Sequence, residues 1–289
     1  MTIKDKFLVI LVVAIWGFNF VVIRWGIEDL HPLSMTILRF FLTAFPAILF
    51  VKKPDISIRY VGLYGILFGT GVWGLVNFAV FYGMPAGIAS LLLQLSPFLT
   101  IIAALVFFKE KLSKVKYFGI FLAFIGFITV CLSKSENLNL LNISLMFLAA
   151  LFWTICNVII KYTKPKNVVS FTVWSSAFVP LPIIILSFIY MFSFDFDENL
   201  LFNFPSSKGW ISIFFQAFIT TLFGYAMWAH LINKNGLSNV APYSLLVPIF
   251  GLFSGYVIYN ETLSTYEIIG STLIIIGLFF LSKKTFVKN

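Results

Sequence analysis

The segment LSPFLTIIAALVFFKEKLSKVKYFGIFLAFIG, Leu95 to Gly126, returns 151 residues later as LVPIFGLFSGYVIYNETLSTYEIIGSTLIIIG, Leu246 to Gly277. The two align without a gap. Leu95 pairs with Leu246, Pro97 with Pro248, Glu110 with Glu261, Leu112 with Leu263 and Ser113 with Ser264; Gly119 pairs with Gly270, Leu122 with Leu273, Ile125 with Ile276 and Gly126 with Gly277. Scattered Leu and Gly matches arise by chance in apolar sequence. A glutamate, a Leu-Ser pair and two glycines seven apart, recurring after corresponding apolar runs, do not. At an offset of 137, Trp16 pairs with Trp153, Val21 with Val158, Ile23 with Ile160 and Arg24 with Lys161. The offset changes where the second copy carries its longer loop, Ser193 to Lys208. One domain built of two repeats follows, the first over about residues 1–133 and the second over about 134–289.

What surrounds these repeats follows from composition. Sixty per cent hydrophobic residues, 11% charged and a mean hydropathy of +1.00 exclude a soluble domain. Apolar runs of the length a hydrocarbon core demands fall at about Phe7–Trp25, Leu33–Val51, Arg59–Phe81, Ala86–Phe108 and Val115–Leu132 in the first repeat. The second has Leu140–Lys161, Ser170–Phe192, Gly209–Leu231, Asn239–Tyr259 and Tyr266–Leu281. The expectation is an all-α polytopic membrane protein of ten transmembrane helices. Lys4 and Lys6 before the first run resemble a signal peptide, but that run is too long and lacks a cleavage site, so it is read as the first span. Five spans per repeat is an odd number, so the halves cross the bilayer in opposite senses. Such inverted repeats place a binding site near the midplane between the halves.

Charge sets the orientation, because basic connections stay on the cytoplasmic side. With the N-terminus inside, sixteen bases and three acids fall on cytoplasmic segments, against three bases (Arg24, Lys134, Lys208) and eight acids on the other face. Both termini are therefore expected in the cytoplasm, and the net charge of +9 reflects orientation and not nucleic-acid binding. Cys131 and Cys156 lie in apolar runs without metal spacing, which suggests helix packing and neither a disulfide framework nor a zinc site. The thirty-six phenylalanines accompany abundant Ile, Lys and Asn and reflect a compositional bias.

Several blocks resemble the drug/metabolite transporter superfamily in its ten-span EamA branch. They are WGFNFVVIRWG at Trp16 to Gly26, LRF at Leu38 to Phe40, AFPAI at Ala44 to Ile48 and GMPAGIASLLLQ at Gly83 to Gln94. VWS at Val173 to Ser175, GYAMW at Gly224 to Trp228 and VAPYSLLVP at Val240 to Pro248 continue the pattern. Within the branch these blocks are most similar to those of exporters of O-acetylserine and cysteine. Two departures are Ser96-Pro97, which follows the general family pattern, and His230, where those exporters carry an uncharged residue. The resemblance implies export across a bacterial inner membrane by alternating access, with a small zwitterionic cargo, no cofactor and a monomeric carrier.

Candidate site residues come from polar groups inside apolar runs. Arg39 is the one permanent charge well within a span, where it meets a substrate carboxylate, holds backbone carbonyls at a helix break, or snorkels as a structural arginine. Trp16 and Asn19 lie three apart and share a helix face, as do Tyr225 and Trp228. With Gln94, Asn157 and Trp174 they complete the candidate substrate-binding set, suited to a zwitterion that needs a few directed hydrogen bonds in an apolar cavity. For the amides the alternative is interhelical glue, and for the indoles an interfacial belt. Pro97 and Pro248, repeat partners, are the candidate gating positions; Pro46, Pro180 and Pro182 also interrupt helices. His230, Glu110 and Glu261 are the candidate proton-coupling groups. Structural roles at loops and helix ends compete with this, including a capping box from Ser264 to Glu267.

Gly65/Gly69 and Gly251/Gly255, with Gly119, Ala123 and Gly126, mark close helix packing. No Ser/His/Asp group, metal-type cluster or phosphate-binding Gly-rich loop supports an enzyme. A broader drug or metabolite exporter of the same fold is the nearest competing function, and a non-transporting scaffold the most distant.

Overall fold

The computed structural model describes residues 1–82, 84, 86–132, 140–193, 204–259 and 264–282, and among them every regular element is helical. Nine helices among the described residues are long and apolar enough to cross a membrane: α1 Ile3–Ile27, α2 Pro32–Leu49, α3 Ile58–Phe81, α4 Ala89–Phe108, α5 Lys114–Leu132, α6 Leu140–Thr163, α7 Val168–Ile189, α8 Ser207–Asn235 and α9 Leu237–Tyr259. A further apolar helix, α10, spans Thr265–Ser282. Its first turn is fixed by the expected capping box: Ser264 N donates to Glu267 Oε2 at 2.8 Å and Glu267 N to Ser264 Oγ at 3.2 Å. A second capping box, Thr2 with Asp5, opens α1.

Several spans are not continuous α-helix. In α2 the helix stops at Ala44 and resumes beyond Pro46 as the short 3-10 turn Ala47–Leu49. In α7 it stops at Ser176 and restarts at Pro180. In α4 the break falls at Gln94, and Pro97 sits in the first turn of Leu95–Phe108. In α9, Ala241–Leu246 is 3-10 and Pro248 begins Val247–Tyr259. Proline lacks the amide hydrogen and crowds the carbonyl four residues back, so a helix tolerates it best in its first turn. Each interruption therefore lies just ahead of the proline that marks it in the sequence.

Breaks of another kind lie in α3 and α8, where Ile66–Gly74 and Phe215–Tyr225 are π-helical. A π turn admits an extra residue and swings the side chains after it round the helix; such turns gather at functional sites. No proline marks these two segments, and sequence periodicity does not reveal them.

Packing follows a paired scheme. α1 lies against α8 and α9, α6 against α3 and α4, α2 against α7, and α5 against α10. Gly65 and Gly69 of α3 face Ser175 and Val179 of α7, and Gly17 of α1 faces Val247, Phe250 and Gly251 of α9. The most extensive approach joins α5 and α10. A Cβ on Gly119 would stand 2.7 Å from the Gly277 carbonyl oxygen, and one on Gly126 would stand 2.6 Å from that of Gly270. Lipid supplies no hydrophobic drive between helices, so close backbone contact of this kind carries association in a membrane.

Candidate functional site

A small cavity sits where α1, α3, α4, α6, α8 and α9 converge. Trp16, Trp73, Trp153 and Tyr225 supply its aromatic walls, Gln94 and Ser244 its polar ones, and Phe20, Val72, Leu93 and Val247 fill between them. It encloses about 30 Å³ open to water, room for about two waters at the ~10–15 Å³ each requires. An amino acid does not fit without outward movement of the walls.

The indole of Trp16 organises this region. Its ring lies 4.5 Å from Tyr225, 5.0 Å from Trp228 and 5.9 Å, edge-on, from Trp153. Its Nε1 donates to the Thr220 carbonyl at 3.3 Å, inside the π segment of α8. Gly224 makes this approach feasible, since a Cβ there would stand 2.7 Å from that nitrogen. Asn19, one turn on, accepts from Thr220 Oγ1 at 2.8 Å, and its Nδ2 has no partner.

Arg39 is 1% exposed. Nε donates to Thr221 Oγ1 at 2.9 Å and Nη1 to Gln216 Oε1 at 3.2 Å, both in the π segment of α8. Thr221 Oγ1 in turn donates to the Gln216 carbonyl at 2.6 Å, across the wide turn. The guanidinium lies over the Trp73 ring at 4.3 Å and beside the Tyr225 hydroxyl, so it stands one side chain behind two cavity walls. Nη2 has no hydrogen-bond partner, and among the described residues Arg39 makes no ion pair. A buried cation of this kind is costly in a membrane interior.

The expected site residues thus separate into groups. Trp16, Gln94 and Tyr225 wall the cavity; Asn19, Arg39 and Trp228 stand directly behind it. Asn157 binds helices together, accepting from Trp228 Nε1 at 3.0 Å and donating to Thr100 Oγ1 at 3.4 Å. Replacing Asn157 by Ala leaves the Trp228 N–H unpaired and is expected to cost about 1 kcal/mol of stability, readable as a lowered Tm in detergent. Trp174 does not reach the cavity; its Nε1 donates to the Val51 carbonyl beyond the end of α2 at 3.0 Å. Pro97 and Pro248 are buried at the helix restarts described above, one turn from the cavity residues Gln94 and Ser244. His230 is exposed on α8, and Glu261 lies outside the described residues. Three walls were not among the expected residues: Trp73, Trp153 and Ser244. Trp153 carried a signal, as the repeat partner of Trp16.

Glu110 lies well away from the cavity. It follows α4 and reaches the start of α9, accepting from Leu237 N at 3.4 Å, Ser238 N at 3.1 Å, the Ser238 hydroxyl, and Lys161 Nζ at 3.0 Å. Lys116 binds Asn239 at 2.6 Å and Lys234 binds Asp5 at 2.8 Å. Gly236, at φ +88°, makes the turn that brings this connection within reach. Burial raises the Glu110 pKa, but the Ser238 hydroxyl and Lys161 outweigh it, so the carboxyl titrates below its ordinary 4.5. A depressed carboxyl gives its full stabilisation above the ordinary value and loses it only as pH falls through the lowered one. Glu110→Gln is therefore expected to lower Tm while leaving the shape of a flux–pH profile between pH 6 and 8 unchanged. Loss of a titration in that window would assign Glu110 a proton-coupling role. His31, between α1 and α2, has its pKa lowered by burial to about 4 and stays neutral over the same range.

Apolar helices in a multi-pass bundle, broken or widened around a central aromatic cavity with a buried cation behind it, define a membrane carrier. The EamA-like transporter family model matches residues 5–132 and again 140–283, so the chain belongs to that family of exporters. A "Probable amino-acid metabolite efflux pump" of Salmonella typhimurium is 35% identical over 282 residues, covering 96% of this chain and 94% of that one. Its namesake in Escherichia coli K12 is 34% identical, with the same coverage. An "Uncharacterized transporter" of Archaeoglobus fulgidus is 26% identical over 97% of this chain and 99% of its own. One solved crystal structure superposes with a TM-score of 0.73 over 96% of both chains at 14% identity, a likeness of fold alone.

Proposed function

We propose that the chain exports small amino acids or closely related metabolites, of the cysteine and O-acetylserine type, by alternating access around the Trp16–Tyr225 cavity. One observation carries this: six helices converge on a small cavity walled by rings and a few uncharged polar groups, with a buried cation behind it. Such a space suits a small solute with one or two polar ends. Two relatives of known name point to amino-acid metabolites. Trp16, Gln94 and Tyr225 touch the cargo, Asn19, Arg39 and Trp228 position them, and the breaks at Pro97 and Pro248 let α4 and α9 gate the two sides.

The carrier works as a monomer of ten spans in two inverted five-helix repeats, with α10 as the tenth. At about 1.5 Å per residue, its 18 residues approach the thickness of the hydrocarbon core. Three observations support the inversion. The family model matches twice. The π segments fall in α3 and α8, third in each half. The glycine contacts are reciprocal: Gly119 meets Gly277 while its repeat partner Gly270 meets Gly126, as a two-fold axis between α5 and α10 requires. An excess of basic residues in the connections assigned to the N-terminal side supports a topology with both termini in the cytoplasm of a bacterial cell and the protein in its inner membrane. A cytoplasm-only reporter fused within Ser193 to Lys208 should be silent, and activity there would reverse the topology.

Counterflow in proteoliposomes tests the function itself. Labelled cysteine or O-acetylserine should exchange against unlabelled cargo and bulkier amino acids should exchange poorly. Equal exchange of large, chemically diverse drugs favours the broader exporter, and no exchange of any amino acid overturns the proposal.

A further inference from the structure

We infer that the charge recognised at this cavity is the carboxylate of the cargo and not its ammonium, which makes the ligand class small monocarboxylates whether or not they carry an amine. The inference rests on the assignment of the cavity as the cargo site and names the chemistry that site selects.

Charge around the cavity is unbalanced. Arg39 is a permanent cation, 1% exposed, whose polar neighbours are all uncharged: the hydroxyls of Thr221 and Tyr225 and the amide oxygen of Gln216, with Nη2 outside the Thr221 and Gln216 hydrogen bonds. A buried charge in lipid is ordinarily paired, and among the described residues no carboxylate pairs with this one. Among the described residues the acids are Asp5, Glu28, Asp29, Asp55, Glu110 and Glu267, each in a connection or in the first turn of a helix and none in the middle of a span. The field at the cavity is therefore positive, and no described residue compensates it.

Two walls transmit that field. Trp73 lines the cavity and lies under the guanidinium at 4.3 Å. Tyr225 lines it too, and its hydroxyl sits beside the guanidinium. A carboxylate placed against Tyr225 has a polarised hydroxyl donor and a cation one layer behind, in a low-dielectric setting where such attraction is strong. An ammonium finds no counter-charge. It has ring faces, the Gln94 amide and the Ser244 hydroxyl, and it feels Arg39 as a repulsion. An amine thus adds little to recognition and a missing carboxylate removes most of it.

The test uses ligands that each lack one end. Serine, N-acetylserine and serinamide are titrated into the purified wild-type protein in detergent, with intrinsic tryptophan fluorescence as the readout, since Trp16, Trp73 and Trp153 surround the cavity. N-acetylserine should bind within about fivefold of serine, and serinamide should bind at least about tenfold more weakly. Serinamide binding as well as serine, or binding by none of the three, overturns the inference. Arg39→Gln should erase the preference for carboxylates; where that variant does not fold, the ligand series on the wild-type protein still decides. The outcome is separable from that of the function. Carboxylates that bind without any amino-acid counterflow sink the export assignment alone. Amino acids that exchange while serinamide competes as well as serine sink this inference alone.

Discussion

Replacing Gly126 by leucine is expected to leave little folded protein. A first side-chain carbon at this position would stand 2.6 Å from the Gly270 carbonyl oxygen and 2.9 Å from the Ile274 amide nitrogen. Both are backbone atoms, so no rotamer change relieves the contact and α5 and α10 must separate. Overpacking in a core that can adjust costs about 1–3 kcal/mol, and here the remaining leucine atoms must be housed between two main chains. Separation also exposes the small buried cluster that these helices share with α4 and α9, which includes Phe98, Phe127, Leu245 and Ile274. The expected result is loss of a monodisperse detergent peak, with Gly126→Ala intermediate. Wild-type yield and Tm for Gly126→Leu would mean that the α5–α10 contact is not tight.

The second large effect is on transport. Trp16→Ala is expected to lower kcat/KM for cargo exchange by at least about tenfold, because it removes the ring on which Tyr225, Trp153 and Trp228 rest and opens the cavity wall. Truncating a buried tryptophan also costs about 3–5 kcal/mol of stability, so a second variant separates the two causes. Trp16→Phe keeps a ring and loses only the hydrogen bond to the Thr220 carbonyl. It should fold, retain exchange and show a raised KM. Unchanged kinetics in folded Trp16→Ala protein would remove this cavity from the transport path.

Features local in the chain were readable. Ser264 and Glu267 formed their capping box because both partners lie three residues apart. Helix breaks fell just ahead of the marked prolines, since proline acts on the residues before it. Trp16, Gln94 and Tyr225 reached the cavity because a polar or ring side chain within an apolar run has few other places to go. Three placements depend on contacts the local sequence does not encode. Trp73 stands opposite Tyr225 across Arg39, but pairing them needs an offset of 152 where the neighbouring helices need 151, and π turns shift side chains in a way periodicity does not encode. Trp174 shares the composition of a wall residue, yet its N–H is claimed by the Val51 carbonyl, a contact across 123 residues. Glu110 invites a coupling role through its symmetric partner, against a structural role at a helix end. Its place is set by a segment more than 120 residues away, whose amides and Ser238 hydroxyl surround it.

A cargo cavity that opens in turn to each side must expose Ser244 to both aqueous phases. In a background with Cys131→Ser and Cys156→Ser, the variant Ser244→Cys is treated with a membrane-impermeant maleimide, applied separately to the outside of right-side-out and inside-out vesicles. Labelling from both sides, slowed from both by saturating O-acetylserine, is expected. Labelling from one side only, or labelling indifferent to O-acetylserine, would contradict it.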